Sequence, residues 1–161
     1  MTEQAEAFCR ELFSNTPALK DLERDFREGV SLLCGCFQAG GKLLTCGNGG
    51  SAADSEHIVG ELMKGFLQKR PLTEEERAAI ASSGCPEPEK FSASLQRGLP
   101  AISLVSQTAL LTAFLNDVQP DMLFAQQVFA YGRPGDVLLA LSTSGNSANV
   151  VNAAYGAKAR G

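Results

Sequence analysis

Two loops rich in glycine, serine and asparagine carry the residue types best suited to bind an anion. The first is Gly47-Asn48-Gly49-Gly50-Ser51, and the second is Ser142-Thr143-Ser144-Gly145-Asn146-Ser147. Glycines allow positive φ and close backbone approach, and N–H groups at a helix start suit a phosphate or carboxylate. A plain strand-to-helix turn favours the same residue types, so for either loop alone both interpretations stay open.

The elements around the two loops predict that the loops meet. Short apolar runs at 42–46 and 137–141 precede them, a third such run lies at 101–105, and a helical pattern over 52–66 follows the first loop. Short apolar strands separated by helices predict an α/β fold with a doubly wound parallel sheet. Ligands of such sheets bind at the carboxyl ends of the strands, which favours one shared phosphate cradle.

The remaining segments supply supporting helices. Apolar spacing predicts helices over 2–14 and 18–37, the second opened by Pro17. The polar stretch 67–98 contains Thr73-Glu74-Glu75-Glu76, a capping-box pattern for a surface helix, and a break at 84–88. We interpret it as an insertion between two strands.

We expect one domain over 1–161. Residues 1–41 would form the N-terminal helices, 42–66 the first strand–loop–helix unit, 67–98 the helical insertion and 99–161 the remaining strand–helix units. This length fits one core, which typically organises roughly 100–200 residues.

Composition narrows the functional class. Hydrophobic residues make up 44% and charged residues 20%, which is ordinary for a globular protein. A net charge of -4 and a pI of about 5.0 argue against nucleic acid and an anionic membrane as partners. No apolar run reaches the roughly 18–20 residues of a membrane span, and the acidic N-terminus predicts a cytoplasmic protein.

The five cysteines do not predict a metal or disulfide site. Their number is odd and their spacing fits neither a zinc ribbon nor a secreted framework, so buried thiols are favoured. They are Cys9, Cys34, Cys36, Cys46 and Cys85.

His57 and Glu61 are a candidate functional pair. They are four residues apart, so they share one face of the predicted 52–66 helix, about one turn beyond the first loop. A solvated helix face or a weak i,i+4 contact is the alternative.

The segment 46–51, the pair Asn116-Asp117 and the segment 132–147 together resemble the phosphoheptose isomerase branch of the SIS (sugar isomerase) family. The resemblance covers most of 18–161 apart from the insertion. It implies a five-stranded sheet of flavodoxin-like topology, a phosphate held by Ser51 and the 142–147 loop, and a homo-oligomer, tetramer or dimer, with sites at subunit contacts.

The resemblance also implies residue roles. Glu61 matches a catalytic acid/base for aldose–ketose isomerisation of a sedoheptulose 7-phosphate-like sugar, and His57 with Glu61 matches zinc ligands of some members. Asn116 and Asp117 match a sugar-contacting position, which we expect in a loop beyond the second strand. Helix capping before Pro120 is the alternative for Asp117.

Family members continue beyond the position of Gly161 through two more strands and a helix with a glutamine and a histidine. The resemblance therefore implies that this sequence, with three of five strands, lacks the C-terminal portion and the second catalytic residue. Two ligands are fewer than zinc needs. A non-catalytic sugar-phosphate sensor or regulatory adaptor is the alternative function.

Overall fold

The computed structural model describes residues 3–161, and its N-terminal part forms a helical arm. Helix α1 spans Glu3–Asn15 and helix α2 spans Glu23–Gln38, with a 3-10 helix at Pro17–Leu22 between them. The helix expected over 18–37 therefore begins as a 3-10 turn, and the α-helix starts only at Glu23, with Glu23 and Asp25 in its first turn.

Two side-chain contacts join the helices of this arm. Phe13 packs edge-on against Phe26 with ring centroids 5.6 Å apart, and Arg27 donates to Glu6 at 2.7 Å. The arm exposes Phe8, Leu22 and Leu32 despite these contacts. Its apolar surface is therefore only partly used within one chain.

A three-stranded parallel sheet forms the centre of the fold. Strand β1 (Leu43–Gly47) lies between β2 (Ala101–Ser103) and β3 (Val137–Leu141), in the order β2-β1-β3. This order begins the doubly wound series 2-1-3-4-5. Strand β2 is shorter than the predicted 101–105, because the backbone leaves the ladder once the Leu104 N–H has bonded to the Thr45 carbonyl at 2.9 Å.

Four helices pack around the sheet. They are α3 (Gly50–Met63), α6 (Thr108–Asp117), α7 (Leu123–Tyr131) and α8 (Ala148–Arg160), with a 3-10 turn at Pro120–Met122. Helix α3 packs on β1 and β2, whereas α8 packs on α7 and β3. The main core comprises Leu44, Cys46, Leu104, Leu123, Phe124, Val128, Val150 and Ala153.

The predicted insertion contains two helices, α4 (Glu74–Ser82) and α5 (Pro88–Ser94). The expected capping box is confirmed: the Thr73 hydroxyl accepts from the Glu76 N–H at 3.2 Å, and the Glu76 carboxylate accepts from the Thr73 N–H at 2.8 Å. Arg70 connects the segment to the body by donating to the Leu62 carbonyl at 2.6 Å. A groove of about 700 Å³ lies between α4 and α5.

A polar anchor joins the starts of β1 and β3, at the sheet edge opposite the loops. The Asp136 carboxylate accepts from the Lys42 ammonium, from the Lys42 N–H at 2.9 Å and from the Arg133 N–H at 2.7 Å. Burial alone raises the pKa of Asp136, but these hydrogen bonds outweigh it and hold the pKa below its ordinary value. The anchor therefore depends on an ionised Asp136.

The cysteines match the expectation of buried thiols in part. Cys9, Cys36 and Cys46 are buried, Cys85 is partly exposed and Cys34 is exposed. Among the helices within 3–161, none is long and apolar enough to cross a membrane.

Candidate phosphate site

The first loop requires glycine at two positions for different reasons. At Gly47 an added Cβ would lie 2.7 Å from the Ser51 carbonyl oxygen, so the loop can fold back on β1 only without a side chain. Gly49 has φ 56° and ψ -120°, a conformation that L side chains rarely adopt. With both glycines in place, α3 begins at Gly50, two residues earlier than predicted.

The second loop concentrates hydroxyl groups. The Ser142 Oγ lies 3.4 Å from the Ser144 Oγ and 3.2 Å from the Ser147 Oγ, and the Ser144 Oγ accepts from the Asn146 N–H at 3.2 Å. Thr143 is exposed at the same bend. The loop therefore presents several donors that can rotate toward a ligand.

Sheet register and one side-chain pair bring the two loops together. Gly47 pairs with Leu141 at the ends of β1 and β3, so both loops leave the sheet side by side. Asn48 and Asn149 then exchange two hydrogen bonds, each 2.9 Å long, between their side-chain amides. The predicted convergence of the loops is thus present in the structure, although Asn149 was not among the predicted site residues.

Two helix N-termini open at this edge without side-chain caps. The N-cap residue of α3 is Gly49 and that of α8 is Ser147, and neither makes a side-chain cap hydrogen bond. Ser147 is a residue type that usually caps, but its hydroxyl pairs with Ser142 instead. Neither loop contains lysine or arginine, so the attraction for an anion comes from backbone N–H groups and helix dipoles.

Buried hydroxyls fix α3 to β1 beneath the loop. The Ser55 Oγ donates to the Ser51 carbonyl at 2.8 Å, and the Thr45 Oγ1 donates to the Ser55 carbonyl at 3.2 Å. Cys46 lies beside them with 0% exposure, and burial raises its thiol pKa to about 12. Cys46 is therefore a packing residue and not a thiolate nucleophile.

A third loop contacts the same helix. After β2, the Ser106 hydroxyl donates to the Glu56 carboxylate at 2.9 Å. Sequence reasoning missed this contact, because nothing local to either residue marks it. It fixes the loop after β2 to α3.

His57 and Glu61 lie together on α3, but not at the loop. Both are exposed, on the face largely opposite to buried Ser55. At 1.5 Å per residue, Glu61 lies roughly 15 Å along the helix axis from Ser51. The expected separation of about one turn is too short, because Glu61 follows Ser51 by ten residues, about three turns of α-helix.

The same positions limit metal binding. His57 and Glu61, one helical turn apart, supply two donors on a solvated face, whereas zinc takes three or four protein ligands. Within residues 3–161 no group of three or more histidine, cysteine, aspartate or glutamate side chains could hold a metal ion. These residues do not by themselves fit a zinc site.

Asn116 and Asp117 occupy a different element from the one expected. They are the last two residues of α6 and not part of a loop, because the helical hydrogen bonding continues to the Val118 N–H, which bonds to the Phe114 carbonyl at 3.2 Å. The Asn116 amide donates to the Asp117 carboxylate at 2.7 Å. The N-cap of the following 3-10 turn is Gln119, so Asp117 does not cap it.

Comparisons with known proteins identify the family of this chain. The SIS domain model matches residues 8–94 and 92–161. Phosphoheptose isomerase of Thiobacillus denitrificans is 42% identical over 147 residues, 91% of this chain and 61% of the relative. That of Rhodospirillum rubrum is 37% identical over 161 residues, 100% of this chain and 72% of the relative.

A solved structure gives the same result. Phosphoheptose isomerase GmhA from Neisseria gonorrhoeae superposes with a TM-score of 0.67 at 34% identity, covering 97% of this chain and 67% of that one. The chain thus spans about three fifths to two thirds of the length of two of these relatives. On the family match, the identity and the shared fold, this chain belongs to the SIS domain family.

Proposed function

We propose that this protein binds a sugar phosphate and isomerises it between ketose and aldose, as a phosphoheptose isomerase acting on sedoheptulose 7-phosphate. The observation that carries the proposal is the pair of uncapped helix N-termini, those of α3 and α8, beside two joined loops rich in hydroxyl groups. Relatives that share this fold bear the name phosphoheptose isomerase.

The phosphate would lie against Gly49, Gly50 and Ser51 on one side and the 142–147 loop on the other. Each charge-assisted hydrogen bond contributes about 1.5–3 kcal/mol, so three or four give a gross total of roughly 5–10 kcal/mol. Association costs reduce this total to micromolar or millimolar affinity. Binding by dipoles and hydroxyls alone fits a substrate that must also leave.

Glu61 is the proposed acid/base. Isomerisation moves a proton between adjacent carbons through an enediol, and a carboxylate can accept it from one carbon and return it to the next. Within one chain Glu61 is exposed and faces away from the sheet. A second subunit covering that face would bring Glu61 beside a ligand and remove water from it, which raises the basicity of a carboxylate.

The N-terminal arm supports such an assembly. Phe8, Leu22, Phe26 and Leu32 are between 43% and 61% exposed on its helices, an arrangement that favours burial against another copy. We propose a homo-oligomer, tetramer or dimer, with the sites at its subunit contacts. Light scattering on the purified protein measures the subunit number, and a monomer at assay concentration contradicts this proposal.

The test of function is turnover by the full-length protein. We expect conversion of sedoheptulose 7-phosphate to the aldose phosphate, and a loss of about 10²–10⁴-fold in kcat for Glu61→Gln, the range for general acid–base catalysis. Glu89→Gln, an exposed carboxylate on α5, is the matched control and should keep full turnover. Binding without turnover would contradict the isomerase, and full turnover by Glu61→Gln would remove Glu61 from the mechanism.

A further inference from the structure

Asn149 is a polar residue of the site for which neither the family resemblance nor the proposed mechanism gives a role. It is the second residue of α8, half-buried, and its side chain points back toward the helix start. Its amide donates to Asn48 Oδ1 and accepts from Asn48 Nδ2, each at 2.9 Å. The two partners are 101 residues apart in the chain.

The reciprocal geometry fixes the plane of the Asn48 amide. One hydrogen bond alone would allow the Asn48 amide to rotate about that bond, whereas two hold it in the plane of the Asn149 amide. With both bonds made, one N–H of Asn48 and one lone pair of its Oδ1 are occupied, and the second N–H is directed away from Asn149. In this arrangement a free N–H donor of Asn48 lies at the first loop, in the plane set by Asn149.

The pair also fixes the distance between the two loops. Asn48 directly precedes Gly49, the uncapped start of α3, while Asn149 belongs to the first turn of α8. The backbone passes from Asn48 through Gly49 into α3, which itself begins with Gly50, and glycines restrict the backbone least of all residues. A tether at Asn48 consequently limits the freedom of the N–H groups that would face a phosphate.

We propose that Asn149 is a positioning residue of the phosphate cradle, which orients Asn48 and holds the two helix N-termini at the spacing that a phosphate group requires. This inference rests on the proposed function. It concerns affinity for the phosphate and not proton transfer, so changes at Asn149 should act on binding.

The chain offers a close control on the same helix. Asn152 lies one turn further along α8 and donates to the Asp121 carbonyl at 2.9 Å, away from both loops. Asn149→Leu and Asn152→Leu each replace a half-buried asparagine by an apolar side chain of similar size. Both changes should alter the thermal midpoint to a similar extent, but only the first breaks the bond between the loops.

The experiment measures the affinity of the full-length protein for inorganic phosphate and for sedoheptulose 7-phosphate by calorimetry. We expect roughly tenfold weaker binding of both ligands for Asn149→Leu, the net value of about one hydrogen bond. Asn152→Leu should bind as the parent does. The Asn48 side-chain amide signal in a ¹H–¹⁵N spectrum should move in Asn149→Leu alone, and KM should rise more than kcat falls.

Two results with the single variants would overturn the inference while leaving the proposed function intact. One is unchanged affinity in Asn149→Leu, and the other is an equal loss in Asn152→Leu, which would reduce Asn149 to a stability role. In a background of Asn48→Leu, Asn149→Leu should add little further loss, since the partner is already absent. A full further loss of affinity from Asn149→Leu in the Asn48→Leu background also contradicts the inference. No binding by the parent protein overturns both proposals together.

Discussion

Replacing Gly47 by alanine tests whether the first loop must lie directly on the end of β1. A Cβ at this position would lie 2.7 Å from the carbonyl oxygen of Ser51 and 2.8 Å from its carbonyl carbon and its Cβ. Favourable carbon contacts lie near 3.5–4.0 Å, so the overlap is close to 1 Å. The atoms contacted belong to the backbone or its first side-chain carbon, and they cannot move without displacing the start of α3.

The cost of such overpacking is typically about 1–3 kcal/mol. For a domain of this size each kcal/mol corresponds to roughly 2–4 °C, so we expect Tm to fall by roughly 2–12 °C. Phosphate affinity should fall as well, because the displaced N–H groups are those of the cradle. Urea unfolding followed by circular dichroism and phosphate titration by calorimetry measure the two effects.

Gly60→Ala is the matched control for this experiment. Gly60 lies inside α3, and an added Cβ there meets nothing within 4 Å. Alanine in a helix interior is about 0.8–1.0 kcal/mol more favourable than glycine, so this variant should be more stable than the parent. If Gly47→Ala unfolds at the parent's urea concentration and binds phosphate equally well, the close approach of the loop to β1 is not required.

Three further outcomes follow from the contacts described. Asp136→Asn should lower the free energy of unfolding by about 1.5–3 kcal/mol at pH 7, because it removes the charged partner of Lys42. The pKa of Asp136 is lower in the folded chain than its ordinary value of 3.8. Its contribution to the free energy of unfolding is therefore complete above pH 3.8 and is lost as the pH falls through the folded pKa. Denaturation at graded pH should accordingly show a weaker acid dependence in the variant. Thr73→Ala should cost about 0.5–2 kcal/mol of local helix stability, visible as faster amide hydrogen exchange in α4 with unchanged phosphate affinity; an unchanged exchange rate contradicts the capping role. Iodoacetamide at neutral pH should alkylate the exposed Cys34 well before Cys46, because the Cys46 thiol is buried and its pKa is raised to about 12. If peptide mapping of the native protein finds Cys46 labelled first, its burial is contradicted.

Local patterns in the sequence were enough to predict the elements that carry the loops. Strand β3 has the predicted bounds, because a run of five apolar residues between a proline–glycine turn and a serine-rich loop is typical of a buried strand. The capping box at Thr73 was recognised for the same reason, since all its partners lie within four residues. The convergence of the two loops followed from the general rule for parallel sheets.

Contacts between distant residues could not be predicted. The amide pair of Asn48 and Asn149 and the bond from Ser106 to Glu56 depend on how helices sit on the sheet, which no local pattern encodes. Asp117 was expected in a loop beyond the second strand from its match to a sugar-contacting position, yet α6 continues through Asp117, almost to Pro120. The roles of Glu61 and the loop residues in binding and catalysis remain predictions, since they depend on a ligand and on neighbouring subunits.

The position of β1 at the centre of the sheet also determines when the cradle can form during synthesis. Lys42, beside the start of β1, meets its partner Asp136 94 residues later in the chain. At roughly 5–20 residues per second, a ribosome needs about 5–20 s to make that stretch. Throughout this interval β1 and the first loop have been made but lack the strand and the helix that hold them in place. The two loops can therefore come together only after β3 and the start of α8 have been made, because Asn48 and Asn149 are 101 residues apart in the chain.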